Sequence, residues 1–79
     1  MSPTILRAKG LRFYFFSREE TRPHVHVFHR TGEAKFWLAP RLELAQNFGL
    51  ADQRVATALG ILKDHEDEIR AAWKAHFGR

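Results

Sequence analysis

The sequence predicts an α+β fold in which an antiparallel sheet is followed by two helices that cover one of its faces. Two observations support this class. Alternating and aromatic segments, which favour strands, fill residues 1–39, and apolar residues at three- and four-residue steps, which favour helices, fill much of residues 40–79. A chain of 79 residues is long enough for only one domain with a thin core. We therefore expect a single domain over residues 1–79, with a sheet half at 1–39 and a helical half at 40–79.

Four strands are expected, arranged as two antiparallel hairpins. They lie at Thr4–Ala8, 11–16, His24–His29 and 33–38. A Lys9-Gly10 turn closes the first hairpin and a Thr31-Gly32 turn closes the second, because glycine tolerates the backbone angles of tight turns. Residues 17–23 are polar and predict a loop between the hairpins.

Each turn implies a register for its hairpin. The Thr31-Gly32 loop gives three favourable cross-strand pairs, which are Arg30 with Glu33, Val27 with Phe36 and Val25 with Leu38. The Lys9-Gly10 turn instead sets Arg7 opposite Arg12, and like charges in that position repel each other. Either the first register differs or an anion lies near the two arginines.

Two helices of unequal length are expected in the C-terminal half. The shorter begins at Pro40, which suits the first turn of a helix, and ends near Phe48 with Gly49 as its C-cap. The longer covers residues 52–77, about 39 Å at 1.5 Å per residue, and Gly60 within it suggests a close contact or a bend. Its apolar stripe, which should cover the sheet, consists of Val55, Leu59, Leu62, Ile69, Trp73 and Phe77.

The period of two along a strand divides the side chains between two faces of the sheet. The apolar face, which we expect to form the core, contains Leu6, Leu11, Phe13, Phe15, Val25, Val27, Ala34, Phe36 and Leu38. The other face contains Arg7, Arg12, Tyr14, Phe16, His24, His26, Phe28, Lys35 and Trp37. This second set interleaves rings with cations and histidines.

The composition excludes several classes of protein. Because the chain has no cysteine, disulfide scaffolds, thiolate metal sites and cysteine nucleophiles are excluded. No apolar run approaches the roughly 18 residues of a membrane span, and the first residues do not form a signal-peptide pattern. We expect a cytoplasmic protein that does not bind membranes. Its net charge of +4, with the cations mainly in the N-terminal half, favours nucleic acid or an acidic partner.

Two histidines on one strand are the candidates for chemistry. His24 and His26 point the same way, whereas His29 points to the other face. Their spacing suits an acid and a base acting on one phosphate, with Lys35 stabilising the developing charge. His24, His26 and Lys35 are therefore the candidate catalytic residues of a metal-free, ribonuclease-like reaction. No third ligand completes a metal site, so we expect neither metal nor cofactor. The alternative is two histidines on a solvated sheet face with no chemical role.

Five further residues on the same predicted face are candidates for binding. Cations hold phosphates, and ring faces stack on bases. Aromatic side chains and arginine are also typical of protein interfaces. An interface with a partner, or with another copy of the chain, is therefore an equal alternative to RNA binding. These residues are Arg7, Arg12, Tyr14, Phe16 and Trp37.

The C-terminal half supports a second nucleic-acid hypothesis. The series from Leu44 through Gly49 to Val55 fits the packing of a DNA-binding helix-turn-helix, in which glycine makes the turn. A plain helical hairpin gives the same pattern. The alternative function is thus a DNA-binding or purely structural interaction module. The reading helix would expose Asp52, Gln53, Arg54 and Thr57.

Four short segments are specific in combination. They are PTIL at residues 3–6, FYFFS at 13–17, PHVHV at 23–27 and GEAKFWL at 32–38. With Phe48-Gly49 and Trp73, they resemble a small bacterial family catalogued as domain of unknown function 4160, over nearly the whole chain. Members commonly have a second proline where Arg22 stands here, and often a serine where Ala51 stands.

The resemblance implies a partner protein rather than a defined activity. Members of this family are similar in size to toxins of two-gene toxin–antitoxin modules, and they are often encoded beside another short protein. We therefore expect a small, basic bacterial component of a toxin–antitoxin-like module. It would bind a protein encoded by an adjacent gene, and RNA or DNA is a further candidate ligand. The sequence leaves open whether the protein is an enzyme and whether it forms a homo-oligomer.

Overall fold

The computed structural model describes residues 4–15 and 22–77. These residues form β1 (Thr4–Ala8), β2 (Leu11–Tyr14), β3 (His24–His29), β4 (Gly32–Trp37), β5 (Glu43–Phe48), α1 (Asp52–Asp64) and α2 (Glu66–Phe77). The strands make one antiparallel sheet in the order β1-β2-β3-β4-β5, so each strand pairs with its neighbours in sequence. The predicted α+β class is confirmed.

The expected helix at residues 40–48 is wrong, because Glu43–Phe48 forms a fifth strand. Leu, Ala, Glu and Gln favour helices as isolated residues. Pairing with β4 overrides that preference, since it satisfies a row of backbone groups at the edge of the sheet. Gly49 therefore follows the end of a strand, with φ of 95°, and does not cap a helix. The helical part of the chain begins at Asp52 rather than at residue 40.

The first hairpin has the predicted turn. Lys9 and Gly10 both have positive φ, at 51° and 79°, and they join β1 to β2. Arg7 lies directly opposite Arg12, as the sequence predicted, and a bulge precedes them in β1. The two like charges are therefore neighbours in the folded chain.

The second hairpin has a different register from the expected one. Its loop is Arg30-Thr31, so Gly32 belongs to β4 and Glu33 lies opposite Phe28. None of the three expected pairs forms. Because the register differs by an even number of residues, every side chain keeps its predicted face, and alternation alone does not distinguish the two registers.

Gly32 is needed where β4 begins rather than in the turn. A Cβ atom at this position would lie 2.6 Å from the carbonyl oxygen of Phe48 and 2.6 Å from the carbonyl carbon of Gly49. The backbone at the end of β5 therefore passes against Gly32, and a larger residue does not fit without movement of that backbone.

The expected helix over residues 52–77 is divided at His65, where φ of −119° and ψ of 23° separate α1 from α2. Gly60 lies inside α1 and marks no bend. The division places three carboxylates in the first turn of a new helix, where the helix dipole stabilises negative charge. They are Glu66, Asp67 and Glu68.

The helices pack on the apolar face of the sheet, as predicted. The buried core combines strand residues with residues of both helices, and its members from α1 and α2 are Ala58, Ile61, Leu62 and Ile69. Its members from the sheet half of the chain include Phe13, Phe15 and Phe36, all almost fully buried. Within the residues described, neither helix has the length and apolar character needed to cross a membrane.

Candidate functional site

Three rows of side chains cross the sheet on the face that alternates away from the core. Residues that are directly opposite in neighbouring strands share a face. The rows are Arg7, Arg12 and Phe28; Tyr14, His26 and Lys35; and His24 and Trp37. We call these eight residues, together with Glu33 of β4, which lies opposite Phe28 in the first row, the polar face. It is continuous from β1 to β4, while Phe16, which was predicted to join it, lies outside the described residues.

Four rings of the polar face form a connected series. Tyr14 stacks on His26 with ring centroids 5.3 Å apart, and His26 meets His24 edge-on at 5.2 Å. His24 in turn approaches Trp37 edge-on at 6.0 Å. Rings at these separations attract each other and hold one another in place. The series therefore connects β2, β3 and β4 with a rigid line of rings.

Cations lie over both ends of this series. The guanidinium of Arg12 is 4.8 Å from the ring centroid of Tyr14. At the other end, the Arg22 guanidinium lies 4.0 Å and the Lys35 ammonium 4.7 Å from the centroid of Trp37. Each contact is a cation–π interaction, which fixes the charge beside a ring face.

Arg22 was not selected from the sequence. Besides contacting Trp37, its Nε donates a hydrogen bond of 3.0 Å to the carbonyl of Ala39. Its own carbonyl accepts a hydrogen bond of 2.7 Å from Nδ1 of His24. In its neutral form His24 therefore carries its proton on Nδ1 and a lone pair on Nε2. No sequence pattern joins Arg22 to Trp37, because the two meet only when β3 and β4 pair.

The histidines are buried, so the alternative of two histidines on a solvated sheet face does not hold. His24 is fully buried, and His26 and Tyr14 are nearly so. Trp73 of α2 packs against His24, with ring centroids 5.2 Å apart, and was assigned from the sequence only to the apolar stripe. The polar-face side chains that a ligand can reach are therefore the cations, Phe28 and Trp37, whereas His24 is out of reach.

The predicted catalytic set is brought together only in part. His26 and Lys35 are directly opposite each other, and His24 follows along the strand. Burial of His24 separates its imidazole from solvent. Among the residues described, no group of three or more His, Asp or Glu side chains could hold a metal ion.

An open pocket of about 530 Å³ lies beside the first row, where β1 and β3 end and β2 begins. Its lining includes Arg7, Arg12 and Arg30, together with Phe28 and His29. The sequence predicted that Arg7 and Arg12 lie opposite each other. Arg30 and His29 were not selected, because the β3–β4 turn that brings them here was assigned to another register.

His29 lies in a cationic environment. Burial lowers the pKa of His29 below its usual value of 6.5, and the charges of Arg54 and Arg30 lower it further. Its Nδ1 accepts a hydrogen bond of 3.1 Å from the backbone N–H of Thr31, and the Thr31 hydroxyl is 2.7 Å away. Neutral His29 therefore carries its proton on Nε2. This edge of the ring lies beside Gly10, which also lines the pocket.

The first helix of the proposed helix-turn-helix does not form. Leu44 and Phe48 belong to β5, and Gly49 lies between that strand and α1. The residues assigned to the reading helix remain exposed or partly exposed at the start of α1, around a pocket of about 210 Å³ lined by Ala51, Gln53, Arg54 and Thr57. A recognition helix needs a partner helix to cross the DNA backbone, so this C-terminal half does not have that motif.

The β5 edge exposes apolar side chains. Phe48 is 60% exposed and Leu44 is 41% exposed, and Phe28 on the polar face is 45% exposed. Glu33 lies between Phe28 and Phe48, opposite both. Exposed rings next to an edge strand are typical of surfaces that bind another chain.

Comparison with protein-family models identifies a family. The model of a protein family described as "Domain of unknown function (DUF4160)" matches residues 10–74. No curated protein matches the chain. No solved structure matches it either.

Proposed function

This chain belongs to the DUF4160 family, and we propose that it is the RNA-binding component of a toxin–antitoxin-like pair. In this proposal, single-stranded RNA binds along the polar face, and a small protein encoded by an adjacent gene binds elsewhere on the sheet. The proposal assigns the protein to the bacterial cytoplasm, where both ligands occur.

The observation that carries this proposal is the alternation of cations and rings on the polar face. Arg12 lies over Tyr14, and Lys35 and Arg22 lie over Trp37. Cations attract the phosphate backbone, and ring faces stack on bases, each stacked base being worth about 1 to 3 kcal/mol. Single strands, unlike duplexes, expose the base faces that such rings need.

A cleavage reaction is a further part of the proposal, with a restricted set of residues. His26, paired with Lys35, is the better candidate for contact with a ribose or phosphate. His24 is buried between His26 and Trp73, so we assign it to positioning His26. The reaction would need no metal, because an imidazole moves the proton and the ammonium stabilises the charge.

The protein partner is the second candidate ligand, and the β5 edge supports it. Phe48 and Leu44 are exposed on a six-residue edge strand. A partner that adds a strand to β5 would pair with its backbone and cover both side chains. Phe48 lies opposite Glu33 and in line with Phe28, so this site borders the polar face, whereas Leu44 lies opposite Phe36 on the other face. A partner and RNA would compete only where the two surfaces meet.

RNA binding is tested by titrating single-stranded RNA and duplex DNA at two ionic strengths. We expect single-stranded RNA to bind more tightly, and Trp37→Ala to weaken it by about tenfold through loss of stacking. Lys35→Ala should weaken binding mainly at low salt. Lys63→Ala removes the same charge from an exposed position on α1 and is the matched control. The absence of RNA binding at low salt would exclude the proposal.

The toxin–antitoxin role is tested by expressing the protein with and without the product of the adjacent gene. We expect growth to slow, or cellular RNA to be degraded, only when the protein is expressed alone. Leu44→Ser, on the face of β5 that points away from the polar face, should weaken co-purification of the partner without changing RNA binding. Normal growth and intact RNA in both cultures would remove the toxin role but leave RNA binding to be judged by titration.

A further inference from the structure

Positive charge is concentrated at the pocket beside the first row. Among the residues that the structure describes, its lining includes three arginines and no carboxylate, and the lining residues are Arg7, Ala8, Gly10, Leu11, Arg12, Phe28, His29 and Arg30. Within residues 4–15 and 22–77, neither Arg7 nor Arg30 makes an ion pair or a side-chain hydrogen bond. Like charges that are held close together repel each other, so an anion between Arg7 and Arg30 would relieve their repulsion.

The position of the arginines is fixed by the sheet. Arg7 and Arg12 are directly opposite each other in β1 and β2, and Phe28 is opposite Arg12 in β3. The Nε of Arg12 donates to the Thr4 hydroxyl at 2.6 Å, and its guanidinium lies over Tyr14. With strands about 4.8 Å apart, the row places two guanidinium groups and an exposed ring side by side.

The electrostatic field of nearby arginines also acts on His29, which lines the pocket. The pKa of His29 is lowered by burial and then by Arg54 and Arg30. Its Nε2–H, which the Thr31 hydrogen bond to Nδ1 leaves as the donor, belongs to the ring edge beside Gly10. His29 is thus a neutral donor in the pocket rather than a fourth cation.

We propose that this pocket binds the 5′-terminal phosphate of a single-stranded RNA, with Phe28 as the stacking surface for the first base. The inference rests on the proposed RNA binding and names the part of the RNA that is recognised. A terminal phosphate carries about −1.5 to −2 charges at pH 7, whereas a phosphate within the chain carries one. Three arginines around one pocket match the larger charge, and planar guanidinium groups bind phosphate oxygens in pairs. A volume of about 530 Å³ admits a nucleotide.

The test compares two RNAs of one sequence, with a 5′-phosphate or a 5′-hydroxyl end. We expect the phosphorylated RNA to bind about tenfold more tightly at low salt, as charge-assisted contacts to one extra group provide. Arg7→Ala and Arg30→Ala should each reduce this preference, and the double variant should abolish it. Arg41→Ala removes an exposed arginine from the loop between β4 and β5 and should keep the preference.

Small ligands separate this inference from RNA binding as a whole. Adenosine 5′-monophosphate should shift the NMR signals of Phe28 and raise the pKa of His29, because its charge offsets the arginines, whereas adenosine should do neither.

Equal binding of the two RNAs would overturn the assignment of the pocket to a 5′-phosphate and leave the proposed function standing. Binding of adenosine 5′-monophosphate without binding of either RNA would overturn the proposed function and keep a nucleotide pocket. A phosphoserine peptide that binds as tightly as the phosphorylated RNA would overturn the assignment to RNA.

Discussion

His24 shows how burial changes the meaning of a candidate catalytic residue. Alternation correctly placed it on one face with His26, and their rings lie 5.2 Å apart. Alternation along a strand could not predict that Trp73 of α2 packs against His24. A histidine that is enclosed by rings and hydrogen-bonded to a backbone carbonyl contributes to packing, whether or not it takes part in catalysis.

Replacing His24 by alanine should therefore destabilise the fold. We expect His24→Ala to lower the free energy of unfolding by about 2 to 4 kcal/mol, because a buried ring is lost and a cavity is left. Urea unfolding measures this change. His76→Ala removes an exposed histidine of α2 and should cost less than half as much. Equal effects of the two substitutions would show that His24 is not a packing residue.

His29 should make the stability of the fold depend on pH below 6.5, its ordinary pKa. Its pKa in the folded protein is below 6.5 because of burial and of Arg54 and Arg30. The unfolded chain therefore takes up the proton first as the pH falls below 6.5, and the fold loses stability until the pH is below the lowered pKa. His29→Asn keeps an acceptor for the Thr31 N–H and should remove this part of the pH dependence. Identical pH profiles of the two proteins would contradict the assignment.

At the scale of elements, glycine has opposite roles in β4 and α1. At Gly32, a Cβ would lie 2.6 Å from the backbone of Phe48 and Gly49. At Gly60, a Cβ would meet nothing within 4 Å, and the residue is exposed in the middle of a helix. The first glycine is required by a close approach of two strands, and the second lowers helix stability without any compensating contact.

Gly60→Ala should raise the free energy of unfolding by about 0.5 to 1 kcal/mol, because alanine loses less entropy in a helix than glycine does. Gly32→Ala should destabilise the protein, since the backbone of β5 has to move. Thermal unfolding of the two variants beside the unsubstituted protein checks both. A destabilising Gly60→Ala would mean that α1 needs glycine for a reason that its contacts do not give.

At the scale of the whole molecule, the polar face and the start of α2 concentrate charges of opposite sign. The cations of the polar face lie among rings, while the carboxylates of α2 stand at the start of that helix, where Arg70 bonds Glu66 at 2.7 Å. A net charge of +4 attracts any polyanion at low salt. Under the proposed function, ring contacts rather than net charge would distinguish single-stranded RNA from other polyanions.

The salt dependence of RNA binding should report which face is used. For single strands, the logarithm of the binding constant falls with the logarithm of salt concentration by about 0.7 for each phosphate contact. Lys35→Ala should make that slope shallower by about 0.7, and Lys63→Ala should leave it unchanged. If the two variants change the slope equally, binding is a response to net charge and not to the polar face.

The sequence by itself determined the properties that depend on neighbours along the chain. Alternation assigned the faces of β1 to β4, the apolar residues assigned the core, and Lys9-Gly10 assigned the first turn together with the Arg7–Arg12 pair. These predictions held because a strand's period of two and a turn's backbone angles are local.

Only the tertiary structure decided the features that depend on which segments meet. Glu43–Phe48 has the residues of a helix and becomes a strand because β4 offers it a free edge. The second hairpin takes a register that differs by two residues, which alternation cannot detect. That register brings Arg30 to Arg7, and the pairing of β3 with β4 brings Arg22 to Trp37. The polar face could therefore be predicted as a set of residues, but its pocket and its burial follow from contacts between segments that are distant in sequence.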